Sequence, residues 1–136
     1  MNAGSLLLRL VLTSGFLLLA GNLSLGQDSP VTRTVLQRAE VSDTPGREGV
    51  MYKAVIVPGG KAAKHTHPGD EFIYVLNGTL IIEADGQAPL TLNAGDSARQ
   101  PKGTPHSARN GSATEPVEAL VFLIIEAGKP LATAVE

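Results

Sequence analysis

The residues of this sequence best suited to chemistry are its three histidines and one nearby glutamate. His65 and His67 lie two positions apart, and Glu71 follows after the turn-forming stretch Pro68-Gly69-Asp70. On an extended strand, residues two apart project from one face, so the two imidazoles can converge on one ion. The turn can bring the carboxylate of Glu71 back to the same point. This spacing predicts a site for one divalent metal ion.

His106, the third histidine, is expected to supply a further nitrogen if the strand after residues 101–105 packs beside the strand of His65 and His67. The chain contains no cysteine, so any metal must be held by nitrogen and oxygen donors. A lone histidine on a strand is more often a hydrogen-bonded core or surface residue than a ligand. Three histidines and a glutamate in register favour a metal site instead. Glu71 could also act as a base beside the ion.

The elements that must position these residues are predicted to be β-strands. From Pro30 onward, short runs of β-branched and apolar residues alternate with clusters of glycine, proline, asparagine and aspartate. This pattern is typical of an all-β sandwich or barrel, and no helical periodicity is evident. The predicted strands are 32–40, 49–57, 71–76, 79–84, 89–92, 97–100, 106–110 and 117–126.

Two turns and one strand can be interpreted further. Asn77-Gly78 between two apolar runs predicts a two-residue type I′ hairpin, which needs positive φ at both positions. Asp85-Gly86 predicts a second, looser hairpin. Residues 120–125 show almost no alternation, which predicts a strand buried on both faces, although the pattern alone also fits a short buried helix.

The order of these residues resembles the two motifs of the cupin superfamily. The first motif is Gly59, five residues, His65-Thr66-His67, three residues, Glu71, six residues and Gly78. The second motif is Gly95, five residues, Pro101-Lys102-Gly103, two residues, His106, three residues and Asn110. With glycine and proline at roughly 7% and 5% of average proteins, such a match is not accidental.

In layout the chain resembles small, single-domain bacterial cupins of the type-2, quercetin-dioxygenase-like kind. That resemblance implies a single antiparallel double-stranded β-helix barrel, also called a jelly roll. It implies metal ligation by His65, His67, Glu71 and His106. Such a ligand set suits Fe, Cu, Zn, Ni or Mn, and it leaves positions open for a substrate. The glycines, Pro101 and Asn110 are interpreted as structural.

The N-terminal segment differs from the rest. A run of apolar residues over 6–20 precedes Ser24-Leu25-Gly26, which has the small-x-small form of a secretory cleavage site. We therefore expect residues 1–26 to be a signal peptide, residues 27–136 to be the cupin domain, and the mature protein to be periplasmic or secreted, away from the membrane. An uncleaved anchor is the alternative, although Arg9 and several small or polar residues interrupt the apolar run.

The charge composition of the chain restricts the classes of molecule that it is expected to bind. Eleven Lys and Arg against thirteen Asp and Glu give a formal net charge of −2, and the basic residues are scattered, so nucleic acid is not an expected partner. A small-molecule substrate or ligand is expected. The resemblance also suggests a homodimer in which residues 32–40 cross to the second copy.

Three classes of function remain open from the sequence. The first is a metal-dependent dioxygenase acting on an enol, diketone or polyphenol, and the second is a non-redox isomerase, lyase or cyclase that uses the ion as a Lewis acid. The third is a module that binds a metal or small ligand without turnover. If the chain is exported unfolded, it takes up its metal outside the cytoplasm, and the Irving–Williams order then favours Cu(II) or Zn(II) over Mn(II).

Overall fold

The computed structural model describes residues 29–136, which form ten β-strands and no helix. The strands are β1 (Val31–Glu40), β2 (Arg47–Ile56), β3 (Lys61–Thr66), β4 (Asp70–Asn77), β5 (Thr79–Ala84), β6 (Leu90–Asn93), β7 (Ser97–Gln100), β8 (His106–Asn110), β9 (Val117–Glu126) and β10 (Thr133–Ala134). The predicted all-β fold is confirmed. The predicted signal segment and its cleavage site lie outside the described residues. Within 29–136, no helix long and apolar enough for a membrane span is found.

The strands form two five-stranded antiparallel sheets. The first has the order β1-β2-β9-β4-β7, and the second has the order β10-β3-β8-β5-β6. Strand β9 lies at the centre of the first sheet, and β8 lies at the centre of the second. Consecutive strands repeatedly cross from one sheet to the other, as in the predicted jelly roll. Residues distant in sequence are thereby brought together between the sheets.

The core lies between the inner faces of the two sheets. Val50, Leu123 and Ile125 of the first sheet are completely buried, and Ile82 of the second sheet is 1% exposed. Burying one such aliphatic side chain stabilises a protein by about 1.5–3 kcal/mol relative to leaving it in water. The inner faces therefore hold the two sheets together around the polar site described below.

Strand β9 is confirmed as a strand, but it is buried on one face rather than two. Val121 and other alternate residues are buried, whereas Phe122 and its outward neighbours are only partly buried. Beside them on β4, Phe72 and Tyr74 are 42% and 47% exposed. The missing alternation in the sequence thus arises because the outer face of this sheet is also apolar.

The predicted type I′ hairpin at Asn77-Gly78 is wrong. Strands β4 and β5, which flank it, belong to different sheets and do not pair. Gly78 has φ of 80°, but Asn77 does not have positive φ. A Cβ on Gly78 would lie 2.8 Å from the carbonyl oxygen of Pro116, so glycine is needed because the crossover passes against the start of β9. The second hairpin, around Asp85-Gly86, is confirmed by antiparallel pairing of β5 with β6.

Candidate metal centre

The three histidines meet because two strands of the second sheet are neighbours. His65 on β3 is directly opposite His106 on β8 in the antiparallel register. Strand β3 is not among the predicted strands, although the sequence predicts extended backbone at His65 and His67. His67 lies just beyond the end of β3, where its carbonyl oxygen accepts a hydrogen bond from the backbone N–H of Gly103 at 3.0 Å. The loop of the second motif is therefore tied directly to the first.

A tight chain reversal brings Glu71 to the histidines. The backbone at Gly69 packs so closely against β9 that a Cβ there would lie 1.7 Å from the carbonyl oxygen of Ile124. No side chain fits in that space, so the reversal requires glycine. Asp70 stabilises the same loop. Its carboxylate accepts hydrogen bonds from the Arg99 side chain and from the Lys102 backbone N–H, each at 3.0 Å. Glu71 then enters the first sheet facing the imidazoles of the second.

The four side chains form one buried cluster. His65, His67, Glu71 and His106 are each at most 8% exposed. The candidate ligand nitrogens of the three histidines lie within 4.8 Å of one another. The carboxylate oxygens of Glu71 approach two of them, with Oε1 3.3 Å from Nε2 of His67 and Oε2 3.3 Å from Nε2 of His106. The structure thus brings together every predicted site residue.

Each imidazole is oriented by a hydrogen bond from its Nδ1 to a backbone carbonyl oxygen. Nδ1 of His65, His67 and His106 lies 2.7, 2.6 and 2.9 Å from the carbonyl oxygens of Ala63, Leu131 and Thr104, respectively. A carbonyl oxygen only accepts hydrogen bonds, so each Nδ1 must carry the proton. In the neutral ring Nε2 then presents a lone pair toward the centre of the cluster. Second-sphere bonds of this kind orient histidine ligands in metal sites.

Two features of the cluster leave polar atoms without a suitable hydrogen-bond partner. Nε2 of His65 lies 3.1 Å from Nε2 of His67, and two facing lone pairs require a proton or a cation between them. Oε2 of Glu71 is buried and makes no hydrogen bond to any group of residues 29–136. An unpaired buried carboxylate oxygen is costly. A divalent ion would satisfy both contacts at once.

The local electrostatics also favour an anionic Glu71. Burial raises the pKa of its carboxyl group, but the adjacent imidazoles of His106 and His67 outweigh burial and lower the pKa to about 2. Burial lowers the pKa of His65, which favours its neutral, ligating form. Burial also acts to lower the pKa of His106, but the adjacent carboxylate of Glu71 outweighs burial and raises that pKa.

Tyr52 connects this cluster to the interior cavity. Its hydroxyl group donates a hydrogen bond of 3.4 Å to Oε1 of Glu71. Burial and the neighbouring Glu71 raise the pKa of Tyr52, so the phenol remains neutral and can donate. Tyr52, His65, Glu71 and His106 lie on the wall of a cavity of about 50 Å³, whose remaining wall is mostly apolar. A cavity of this size holds a few water molecules or part of a small ligand.

Three other residues with polar side chains do not line the cavity. Tyr74 faces the outside of the first sheet, Lys64 forms an ion pair with Asp85 at 2.7 Å, and Gln100 is buried but does not line the cavity. Arg33 lines the cavity, although it is not among the predicted site residues. Alternation could have identified Arg33, because the residues two positions away on either side are both valines.

The donor set agrees with the metals expected from the sequence. Three imidazoles and a carboxylate are nitrogen and oxygen donors that suit first-row divalent transition metals. The lone pairs converge, and the carboxylate is held anionic beside them. The three buried histidines could therefore bind a metal ion, with Glu71 adjacent to it.

Comparisons with known proteins identify the family. The cupin-domain model matches residues 52–123, more than half of the chain. The DMSP lyase DddQ from Ruegeria pomeroyi is 25% identical with a TM-score of 0.56, over 64% of this chain and 43% of the lyase, so the chain spans less than half of that protein. No curated protein is significantly similar.

Two further solved structures share the fold. A double-stranded β-helix protein from Klebsiella pneumoniae is 23% identical with a TM-score of 0.62, covering 78% of this chain and 85% of that one. A cupin-like protein from Thermotoga maritima is 20% identical with a TM-score of 0.62, covering 79% and 77%. The fold and the match of the family model together show that this chain belongs to the cupin family.

Proposed function

We propose that this cupin is a metal-dependent enzyme acting on a small molecule. In this proposal His65, His67, Glu71 and His106 together hold one divalent transition-metal ion. The observation that carries it is the fixed orientation of the three imidazoles, whose Nε2 atoms converge because each Nδ1 is bonded to a carbonyl. The cluster also lies on the wall of a cavity rather than inside solid core, which gives a substrate access to it.

The cavity favours a small enol or diketone over a polyphenol. Two adjacent oxygens of such a substrate can chelate an ion, and the apolar wall suits a short hydrocarbon body. A compact molecule suits a cavity of about 50 Å³ better than a polyphenol does. An ion bound here would supply Lewis-acid chemistry and, if redox-active, dioxygen chemistry.

The chain's own residues would orient the substrate and manage a proton. Tyr52 is a neutral donor beside Glu71, so it can stabilise negative charge on Oε1 or on a substrate oxygen that displaces it. Glu71 is anionic, so it can accept a proton when it is not fully engaged with the ion, and its lowered pKa makes it a weak base. The alanines and aliphatic residues of the cavity exclude bulk water.

A lyase or isomerase is the second candidate. It is favoured by the similarity to DMSP lyases, one of them 25% identical to this chain. Lyase chemistry requires a Lewis acid and a base but no redox change, and the same cluster offers both.

The test is to load the metal-free protein separately with Fe(II), Ni(II), Cu(II) and Zn(II). Oxygen uptake with 2,4-pentanedione should occur with a redox-active ion and not with Zn(II) if the protein is a dioxygenase. Substrate conversion that Zn(II) supports without oxygen uptake would favour the lyase or isomerase. Binding of the diketone with full recovery of unchanged ligand would instead indicate a binding module. A chain that takes up none of the four ions would refute the proposal.

We also propose export to the periplasm or the exterior, with metal acquired there. This rests on the sequence of residues 1–26 and on the Irving–Williams order. Protein isolated from its native compartment should begin near residue 27 and carry Cu or Zn. A full-length N-terminus, or abundant Mn, would contradict it.

Homodimerisation is proposed for the same chain through its first strand. Strand β1 forms one edge of the first sheet, and Val35 and Leu36 on it are 50% and 53% exposed. An exposed edge strand offers unpaired backbone groups to a second copy. Light scattering should give twice the chain mass, and Leu36→Lys should lower it. A monomeric wild-type protein at high concentration would refute this proposal.

A further inference from the structure

Arg33 occupies an unusual position in the barrel. It lies on edge strand β1, opposite Ala54 of β2, and two residues from the buried Val31. Residues two apart on a strand share a face, so Arg33 is on the core-facing side, where its side chain is exposed at the edge of the sheet. Its side chain lines the same cavity as Tyr52 and Glu71. A cation at a core-facing position breaks the pattern expected of a strand, and such breaks are concentrated at functional sites.

The charge of Arg33 is not neutralised by the rest of the described chain. No carboxylate of residues 29–136 lies within ion-pair distance of it. The lysines on neighbouring β3 behave differently, because Lys61 pairs with Glu83 at 3.2 Å and Lys64 pairs with Asp85 at 2.7 Å. Among the cations around this opening, Arg33 is therefore the one available to an external anion.

Arg33 also borders a route to the proposed metal centre. A groove of about 310 Å³ lies on the outside, between β1, β3 and the segment around β10. Both this groove and the interior cavity are lined by Arg33 and His65. A molecule extending from the groove toward the imidazoles would pass the guanidinium group.

We propose that Arg33 binds a carboxylate of the substrate, so that the substrate class is a small organic acid whose other end reaches the histidines. The inference rests on the proposed metal-dependent function. A guanidinium group matches the two oxygens of a carboxylate with paired hydrogen bonds. The charges agree: an ion of +2 and Glu71 at −1 leave +1 in the cluster, and Arg33 adds another positive charge, so an acid is attracted despite Glu71.

A purely structural role for Arg33 makes a different prediction. An inward-pointing charge on an edge strand discourages sheet-to-sheet association. In that case removing the charge changes self-association and leaves ligand preference unaltered. Light scattering therefore measures self-association on the same variants whose ligand preference is measured below, and a change in self-association alone would overturn the proposed role of Arg33.

The test uses protein loaded with Co(II), whose visible absorption reports ligands entering the metal site. The probes are 2,4-dioxopentanoate and its methyl ester, which carry the same diketone and differ in the carboxylate. Wild-type protein should bind the acid about 10-fold more tightly than the ester, as expected for one charge-assisted pair of hydrogen bonds. Arg33→Gln should abolish this preference by weakening the acid alone, with Co(II) affinity unchanged.

Two matched variants complete the design. Lys61→Gln removes the same charge from the same groove, but Lys61 is already paired with Glu83, so the preference for the acid should persist. Arg33→Lys keeps the edge charge but loses the paired geometry, so it should retain only part of the preference. It also serves as the informative variant if Arg33→Gln aggregates.

The outcomes separate this inference from the proposed function. Equal binding of acid and ester, an unchanged preference in Arg33→Gln, a full preference in Arg33→Lys, or an equal loss in Lys61→Gln would overturn the role of Arg33 alone. If neither probe perturbs the Co(II) spectrum of the wild-type protein, the proposed function fails, and this inference fails with it.

Discussion

Within residues 29–136, the buried polar groups around Glu71 (the Glu71 cluster) and those around Asn110 (the Asn110 cluster) differ in how their hydrogen bonds are satisfied. The side-chain nitrogen of Asn110 donates to the carbonyl oxygens of Ile56, Val57 and Glu115 at 3.1, 3.1 and 2.7 Å. Its oxygen accepts from the backbone N–H of Ser112 at 2.8 Å. The Asn110 cluster is complete with protein atoms alone.

The Glu71 cluster is incomplete in the same sense. It leaves one carboxylate oxygen without a hydrogen bond and brings two imidazole nitrogens together with facing lone pairs. Both clusters depend on β8, which carries His106 at one end and Asn110 at the other. Burial of polar groups alone therefore does not indicate a functional site. The distinguishing feature is a set of buried groups that the chain itself fails to satisfy.

The largest effect on the Glu71 cluster is expected from removing one imidazole. His65→Ala should weaken metal affinity by about 100-fold or more, because loss of even a second-sphere partner typically costs 10–100-fold. Chelator competition with Zn(II) measures the effect. The metal-free variant should lose little stability, since the substitution also relieves the contact between the two Nε2 atoms. Unchanged Zn(II) affinity would show that the cluster is structural, like that of Asn110.

The reciprocal substitution is Asn110→Ala. It leaves several backbone groups without their partner, so we expect a loss of about 2–3 kcal/mol in the free energy of unfolding. Urea denaturation of the metal-free protein measures this loss, and the folded variant should still bind one ion with wild-type affinity. Weaker metal binding at equal stability would mean that the two clusters are not independent.

The pH dependence of stability should also distinguish the two clusters, with a smaller effect than the two substitutions above. The pKa of Glu71 is about 2, below its ordinary 4.5, so ionised Glu71 stabilises the metal-free protein above pH 4.5. That stabilisation should disappear as the pH falls from 4.5 toward 2. Glu71→Gln should therefore flatten this part of the stability profile, measured by urea denaturation at successive pH values, and should weaken metal binding by about 10-fold.

The comparison with wild type isolates Glu71 from the other acids. Asp70, Glu83 and Glu126 also have lowered pKa values, mainly through hydrogen bonds with Arg99, Arg109 and Lys102, and they are present in both proteins. Parallel profiles for wild type and Glu71→Gln would mean that the carboxylate is not held ionised by the imidazoles.

Sequence predicted the ligands better than it predicted the strand pairing around them. The spacing of His65, His67 and Glu71 is local information, because the positions of neighbouring side chains follow from the geometry of a strand and a turn. Strand partners are not local. Asn77-Gly78 has the composition of a hairpin, but β4 pairs with β7 and β9 instead, since the inner face of β4 must be buried in the first sheet.

Strand β3 and the position of Arg33 at the cavity could not be predicted from the sequence, for physical reasons. Strand β3 contains two alanines, two lysines and no aliphatic β-branched residue, so its propensity for strand is low, and pairing with β8 determines it. Strand β2 separates Arg33 from His65 in sequence, and only the juxtaposition of β1 with β3 across the opening brings Arg33 to the cavity. The expectation of structural glycines is confirmed, with positive φ at Gly59, Gly78, Gly95 and Gly103.

The smallest effect is expected from Tyr52, the residue through which the incomplete cluster contacts the cavity. Its hydrogen bond to Glu71 is long, at 3.4 Å, so Tyr52→Phe should weaken Zn(II) affinity only about 3-fold and leave the fold intact. Its effect on diketone turnover should be larger than on metal affinity, because the lost hydroxyl group faces the substrate as well as Glu71. Isothermal titration and turnover assays on the same loaded protein compare the two. If both fall equally, Tyr52 acts only by holding Glu71 in place, and the cavity side of the cluster has no donor of its own.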